Sequence, residues 1–230
     1  MLFYQPQDGY RFNSDSMFLY DFIASFSPRG DLLDVGCGVG VIGLLLARDF
    51  PIRLTLVEKQ EKMAFFAERN IRANGIDAEL VHGDFLAFDT DRRFDFIVSN
   101  PPFYHPDVIQ SEDEHIRICR YNDHLPIDAF FKKVKSLLAP RGRFIFCYDA
   151  AQVGDLLPRL TEVGLRAEDM RFIHPKRERP AKLVLVHARN NSRARTKVWP
   201  PFIVFEGEVY GEEAQAVFKK ARTHTLKCQI

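Results

Sequence analysis

The 230-residue chain is poor in the features that hold small secreted scaffolds together. Its four cysteines, Cys37, Cys119, Cys147 and Cys228, lie far apart and form no CxxC pair. That argues against a redox dithiol or a disulfide framework and favours a reducing compartment. The seven histidines show no ligand spacing, so no metal is expected. Charge of one sign is also missing: the net value is +1, and no global field selects a partner. No apolar run is long enough for a bilayer, which takes about 20 residues; the most apolar stretch, Leu32 to Ala47, contains Asp34 and four glycines. The opening MLFYQPQDGY has neither a basic nor an apolar leader pattern, so no secretory signal is expected. There is no internal repeat and no low-complexity segment. What is left is a cytoplasmic globular protein with enough length for one large core and a small appendage.

What is present is alternation. Short apolar runs that read as buried strands, DLLDVG (31–36), RLTLVE (53–58), AELVH (78–82), FDFIVS (94–99) and GRFIFCYD (142–149), are separated by helical patterns at 41–50, 61–75 and 126–140. Apolar strands between amphipathic helices indicate parallel βαβ units with helices on both faces. Phe65, Phe66, Phe130 and Phe131 read as core. After a helix near 152–163, the runs Leu165–Ile173 and Lys182–Ala188 are joined by HPKRERPA, too short for a crossover helix, so they must pair antiparallel. The expected fold is α/β: a doubly wound, Rossmann-like sheet, mostly parallel, with one reversed strand near the C-terminus. Residues 1–30 supply a helix, SDSMFLYDFIASF, ahead of the first strand. Residues 31–188 form the main domain, and 189–230 add a basic loop, an extended apolar piece and a helix.

LLDVGCGVGVIG is a strand running into a glycine-rich turn and a helix. Gly36, Gly38 and Gly40 allow a tight turn and close approach of a ligand to a helix N-terminus. Gly38, Gly40 and Gly43 also satisfy GxGxxG, a weak dinucleotide signal. Asp34, in the last turn of the strand, would repel a pyrophosphate and suits a cationic centre or an ammonium group. Glu58, ending the next strand, can accept from two ribose hydroxyls and serves NAD or S-adenosylmethionine equally. Asp84 follows the third strand in HGDFL and can read an adenine amine beside Phe85. Three acids at consecutive strand ends favour a positively charged nucleoside in the crevice where such sheets bind ligands.

Asn100-Pro101-Pro102-Phe103 follows the fourth strand directly. The prolines lack N–H groups and hold an extended turn, leaving the Asn100 amide oxygen and the Pro101 carbonyl as two acceptors for one planar amine. Phe103 offers a face for stacking a base. Accepting both amine hydrogens relieves charge where it develops in the transition state, so no strong general base is needed.

Together, DVGCGVG, the acid in VEK, GDF and NPPF resemble the class I S-adenosylmethionine-dependent methyltransferases that act on amino groups. With the opening QPQDGYRFNSDSMFLYDFI, the chain further resembles the bacterial family that methylates the 6-amino group of an adenosine beside the anticodon of one valine tRNA. The likeness covers most of residues 5–188. It implies that Gly36, Gly38 and Gly40 wrap the methionine and ribose of the cofactor, with Asp34 near its amino group and Glu58 on the ribose. Asp84 and Phe85 would take the adenine, Phe12 and Ser14 would close over the methionine end, and Asn100 would sit between cofactor and target. Asn100 and Pro101 would hold the target amine, with Pro102 and Phe103 completing the catalytic tetrapeptide. Pro140-Arg141-Gly142-Arg143 departs from the usual PGG, and little beyond Arg189 matches the pattern.

Residues 171–200 hold nine cations against Glu178, a local +8 that leaves −7 for the rest of the total of +1. Arg177, Arg179, Arg189, Arg193, Arg195 and Lys197 are therefore candidate tRNA contacts, with Trp199 available for stacking, and the stripe is expected to flank the NPPF mouth. The stretch 111–124 is long for a loop and suits a lid. Rival readings keep the cofactor but change the acceptor to an rRNA guanine or a release-factor glutamine, or replace it with a nicotinamide in an oxidoreductase.

Overall fold

The computed structural model describes residues 1–8, 11–101 and 126–229. Pro102, Phe103 and the 111–124 stretch lie outside the described residues.

Strands apolar on both faces must be covered on both faces, and they are. The chain runs β1 (Leu2–Pro6), α1 (Ser14–Ala24), β2 (Gly30–Val35), α2 (Val41–Asp49), β3 (Ile52–Glu58), α3 (Glu61–Asn74), β4 (Ala78–His82) and β5 (Phe94–Ser99). After the undescribed stretch come α4 (Ile127–Leu137), β6 (Leu138–Asp149), α5 (Val153–Glu162), β7 (Leu165–His174) and β8 (Leu183–Asn190). The central sheet has the order β4-β3-β2-β5-β6-β8-β7, parallel except for β8. This is the expected doubly wound sheet, and the one reversed strand is inserted between β6 and β7. The chain winds outward in opposite directions from β2 and β5, so their C-terminal ends flank the switch point where open α/β sheets bind ligands.

Two expectations on helix faces need correction. Phe66, Phe130 and Phe131 are fully buried, but Phe65 is exposed, with the Arg69 guanidinium 4.9 Å from its ring centroid. The helix expected to reach residue 140 stops at Leu137, because Pro140 has no N–H to continue it. The chain instead enters β6, whose pairing with β5 slips from Phe94↔Leu138 to Phe96↔Arg143. Gly142 is needed in that bulge: a Cβ there would stand 2.7 Å from the Phe94 carbonyl oxygen. The Pro-Arg-Gly-Arg departure thus keeps the one residue that packing demands.

The flanks carry strands that the sequence pattern does not reveal. Short β9 (Lys197–Val198) and β10 (Phe202–Ile203) pair with the outer edge of β7, and β11 (Phe205–Glu206) makes a hairpin with β12 (Val209–Tyr210). After α6 (Glu212–Ala221), β13 (His224–Cys228) pairs in parallel with β1. Two asparagines one turn apart on α3 hold β1 from the other side. Asn70 accepts from Tyr4 N–H at 2.7 Å and donates to the Tyr4 and Val39 carbonyls, while Asn74 accepts from Leu2 N–H and donates to the Leu2 carbonyl. Asn70 is fully buried, so all of its amide capacity must be met by protein. Val39 lies in the glycine-rich turn, which ties β1 to that turn.

Candidate active site

The turn after β2 is fixed by its own backbone: the amides of Gly36 and Cys37 both donate to the Val57 carbonyl, at 2.9 and 3.2 Å. Gly36 and Gly38 have φ of +65° and +58°, and a Cβ on either would meet nothing within 4 Å. They form an open floor that backbone alone lines. Gly43 serves a different purpose. A Cβ there would lie 2.7 Å from Leu56 and 3.0 Å from Asp34, so its absence lets α2 press against β2 and β3.

One cleft gathers residues from all four central strand ends: Phe12, Ser16, Asp34, Gly36, Cys37, Gly38, Glu58, Lys59, Asp84, Phe85, Ser99, Asn100 and Pro101 are on its wall. Asp34 is 1% exposed, and its carboxylate accepts from Gly43 N–H at 2.9 Å. Burial pushes its pKa up to about 7, and the charge of nearby Glu58 adds to the rise. Glu58 is itself buried and raised by desolvation; its two oxygens accept from Gly38 N–H and Gln60 N–H, both at 2.8 Å, which offsets part of the rise. The Lys59 backbone amide adds a third hydrogen bond to this carboxylate. Asp84 behaves oppositely. Lys59 donates to it at 2.8 Å and holds its pKa down, and its other oxygen caps the short 3₁₀ turn at Leu86 N–H. Among the described residues, Asp34 and Glu58 thus form no ion pair of the kind that Lys59 gives Asp84. That arrangement suits a positively charged guest.

Asn100, at the end of β5, is held on both ends of its amide: Nδ2 donates to Ser16 Oγ at 3.4 Å and Oδ1 accepts from Cys147 Sγ at 2.7 Å. Phe85 lines the cleft and packs edge-on against Phe130, with ring centroids 5.5 Å apart.

A family model for the methyltransferase small domain matches residues 11–152, which span every cleft residue named above. The chain belongs to that family. This methyltransferase is 30% identical over 194 residues to a tRNA1(Val) (adenine(37)-N6)-methyltransferase of Phocaeicola vulgatus, covering 83% of this chain and 81% of the relative. A Pedobacter heparinus protein of the same name is 29% identical over 174 residues, 74% of this chain and 73% of that one. In architecture it resembles a crystal structure described as a predicted O-methyltransferase from Agrobacterium tumefaciens, with a TM-score of 0.69 at 18% identity, over 93% of this chain and 99% of that one. Family membership sets aside the nicotinamide oxidoreductase reading of GxGxxG.

Most of the residues singled out in the methyltransferase's sequence converge, and some do not. Asp34, Gly36, Gly38, Glu58, Asp84, Phe85, Phe12, Asn100 and Pro101 share the cleft wall. Gly40 caps α2 and faces Leu44 and Leu56 instead, and Ser14 only opens α1; neither lines the cleft. Ser16, two residues on, does. Sequence reasoning missed Ser16, Cys37, Lys59 and Cys147; the Lys59–Asp84 ion pair had a signal, since a cation directly follows Glu58 in VEK.

The basic window is not a single stripe. β8 is reversed, so Leu183 pairs with Asp149 at the end of β6 whereas Arg189 pairs with Arg143 near its start. Arg177 and Arg179, in the β7–β8 turn, stand on the same sheet edge as the cleft. Arg189 lies about 20 Å away along the strand, six residues at about 3.3 Å each. Arg193 and Arg195 follow it, before β9 joins the middle of β7. Arg189 approaches Glu168 at 3.7 Å, and Lys197 sits over the Trp199 ring at 5.0 Å. Glu168, Asp169 and His187 cluster here, but Asp169 already accepts from Trp199 Nε1 and bonds His187 Nδ1, both at 2.8 Å, and Ser192 donates to Glu168. Those bonds anchor the chain after β8 to the sheet.

Proposed function

We propose that this methyltransferase uses S-adenosylmethionine to methylate the 6-amino group of an adenine in tRNA. The observation that carries the reading is that Asn100 and Pro101 share one cleft wall with Asp34, Glu58 and Asp84. Relatives named for methylation of adenine 37 in one valine tRNA support the choice of acceptor.

When bound, S-adenosylmethionine supplies an electrophilic methyl group on a cationic sulfur. Asp34 and Glu58 would hold that cationic ligand, Asp34 at its ammonium end and Glu58 at its ribose hydroxyls. Gly36 and Gly38 admit the ligand against bare backbone. Asp84 and Phe85 take the adenine amine and ring, and Phe12 covers the opening. Asn100 Oδ1 and the Pro101 carbonyl accept the two hydrogens of the target amine. This would turn its lone pair out of conjugation and stabilise the positive charge that grows on nitrogen as the methyl–sulfur bond breaks, S-adenosylhomocysteine being the leaving group. That nitrogen then loses its proton to water. Pro102 and Phe103 would complete the clasp and stack on the target base. Arg177 and Arg179, on the cleft edge, hold tRNA phosphates. The enzyme works in the cytoplasm, where its substrate is; among the described residues no helix is long and apolar enough to cross a membrane.

The test is nucleoside mass spectrometry of tRNA incubated with the purified protein and isotopically labelled S-adenosylmethionine. The expected product is N6-methyladenosine. Label in guanine or in a release-factor glutamine would overturn the choice of acceptor.

A further inference from the structure

The side-chain amide of asparagine has two ends of nearly equal size, and only the oxygen end can accept hydrogens from an amine. A clasp built on Asn100 therefore works only if something decides which end is which. Ser16 cannot decide alone, since a hydroxyl donates and accepts equally well. Cys147 can. Its sulfur lies 2.7 Å from Asn100 Oδ1 with the thiol as donor, and a thiol sulfur is only a weak acceptor for an N–H. Cys147 is fully buried, and it is absent from the cleft wall, so neither water nor ligand competes for its proton. Burial also raises the thiol pKa well above its ordinary value, which keeps the proton in place.

We propose that Cys147 and Ser16 are positioning residues that orient the Asn100 amide, the thiol pinning Oδ1 by one lone pair while the other stays available to the substrate amine. The proposal rests on the role given above to Asn100. Cys147 touches neither substrate nor cofactor and acts only through Asn100.

Three substitutions separate orientation from packing. Cys147→Ser keeps a donor, Cys147→Ala removes donor and volume, and Cys147→Val restores volume without a donor. With tRNA as acceptor, Cys147→Ala and Cys147→Val should each lower kcat by about five- to tenfold, the worth of one ordinary hydrogen bond. KM for S-adenosylmethionine should hold within about twofold, and Cys147→Ser should retain at least half of kcat. Equal losses in the serine and valine variants, or losses that follow Tm, would overturn the proposal. A second readout does not depend on turnover: the S–H stretching band of the wild-type protein that disappears in Cys147→Ser should lie at lower frequency than a free thiol. It should shift upward in Asn100→Ala. A band that ignores Asn100→Ala would overturn the contact itself, whereas wild-type protein that makes no N6-methyladenosine would count against the functional reading alone.

Discussion

Asp34 offers the most discriminating perturbation. Burial and the nearby charge of Glu58 push its carboxyl up to about 7 in the ligand-free protein, against the lowering effect of the Gly43 amide. A cationic ligand needs the ionised form. With a pKa of about 7, about a tenth of the protein is ionised at pH 6 and about nine tenths at pH 8, so affinity should climb about tenfold across that interval and then level off. The Asp34→Asn variant keeps an oxygen for Gly43 but has no charge, so its binding should be weak and flat with pH. Stability runs the other way. A folded-state pKa raised above the unfolded 3.8 gives stability that is full below about pH 4 and is lost as pH rises through about 7. Ligand-free Asp34→Asn should therefore melt no lower than wild type at pH 8, and higher if burial of the charge dominates. The assay is calorimetric titration with S-adenosylmethionine from pH 6 to 8, alongside ligand-free melting. Wild-type affinity that is flat with pH, or a variant that keeps the slope, would refute the electrostatic argument.

Asn100→Ala should lower turnover by at least about 100-fold, in the range seen when a group stabilising transition-state charge is removed, while the dissociation constant for S-adenosylhomocysteine changes only a few-fold; parallel loss of both would make Asn100 structural. Charge reversal at Arg177 and Arg179 should weaken tRNA binding and flatten its dependence on salt by about one to two units of slope. The same change at Arg193 and Arg195 should leave that slope near the wild-type value, and the opposite pattern in filter binding would move the RNA path to the far edge of the sheet. Asn70→Ala strands the backbone of Tyr4 and should cost about 2–3 kcal/mol, a fall in Tm of roughly 4–12 °C by thermal melting.

The parallel core was legible because burial on both faces writes itself into a strand as an unbroken apolar run, as in β3 and β5. The acids were legible for a related reason: at a strand end, position in the chain already implies position on the sheet edge. Asp34, Glu58 and Asp84 could be placed in one crevice without coordinates. What could not be read depends on contacts between distant segments. β1 and β13 are five residues each and more than two hundred apart, so neither carries its partner in its own pattern. The thiol behind Asn100 comes from a different strand, 47 residues on. The basic window looked continuous because its charges are close in sequence, yet the reversal of β8 carries half of them to the other edge.

Phe12 joins the cleft wall on a tether. Its N–H is held by the Gln5 side chain at 3.0 Å and its ring meets Phe3 edge-on at 5.7 Å, and both anchors belong to a strand that leans on residues 224–228. Proteolytic trimming past Arg222 should therefore loosen Phe12 without removing any residue that lines the cleft. Preparations differing only in those last few residues would differ in how long they retain ligand, and an affinity tag joined there pulls on the same cord.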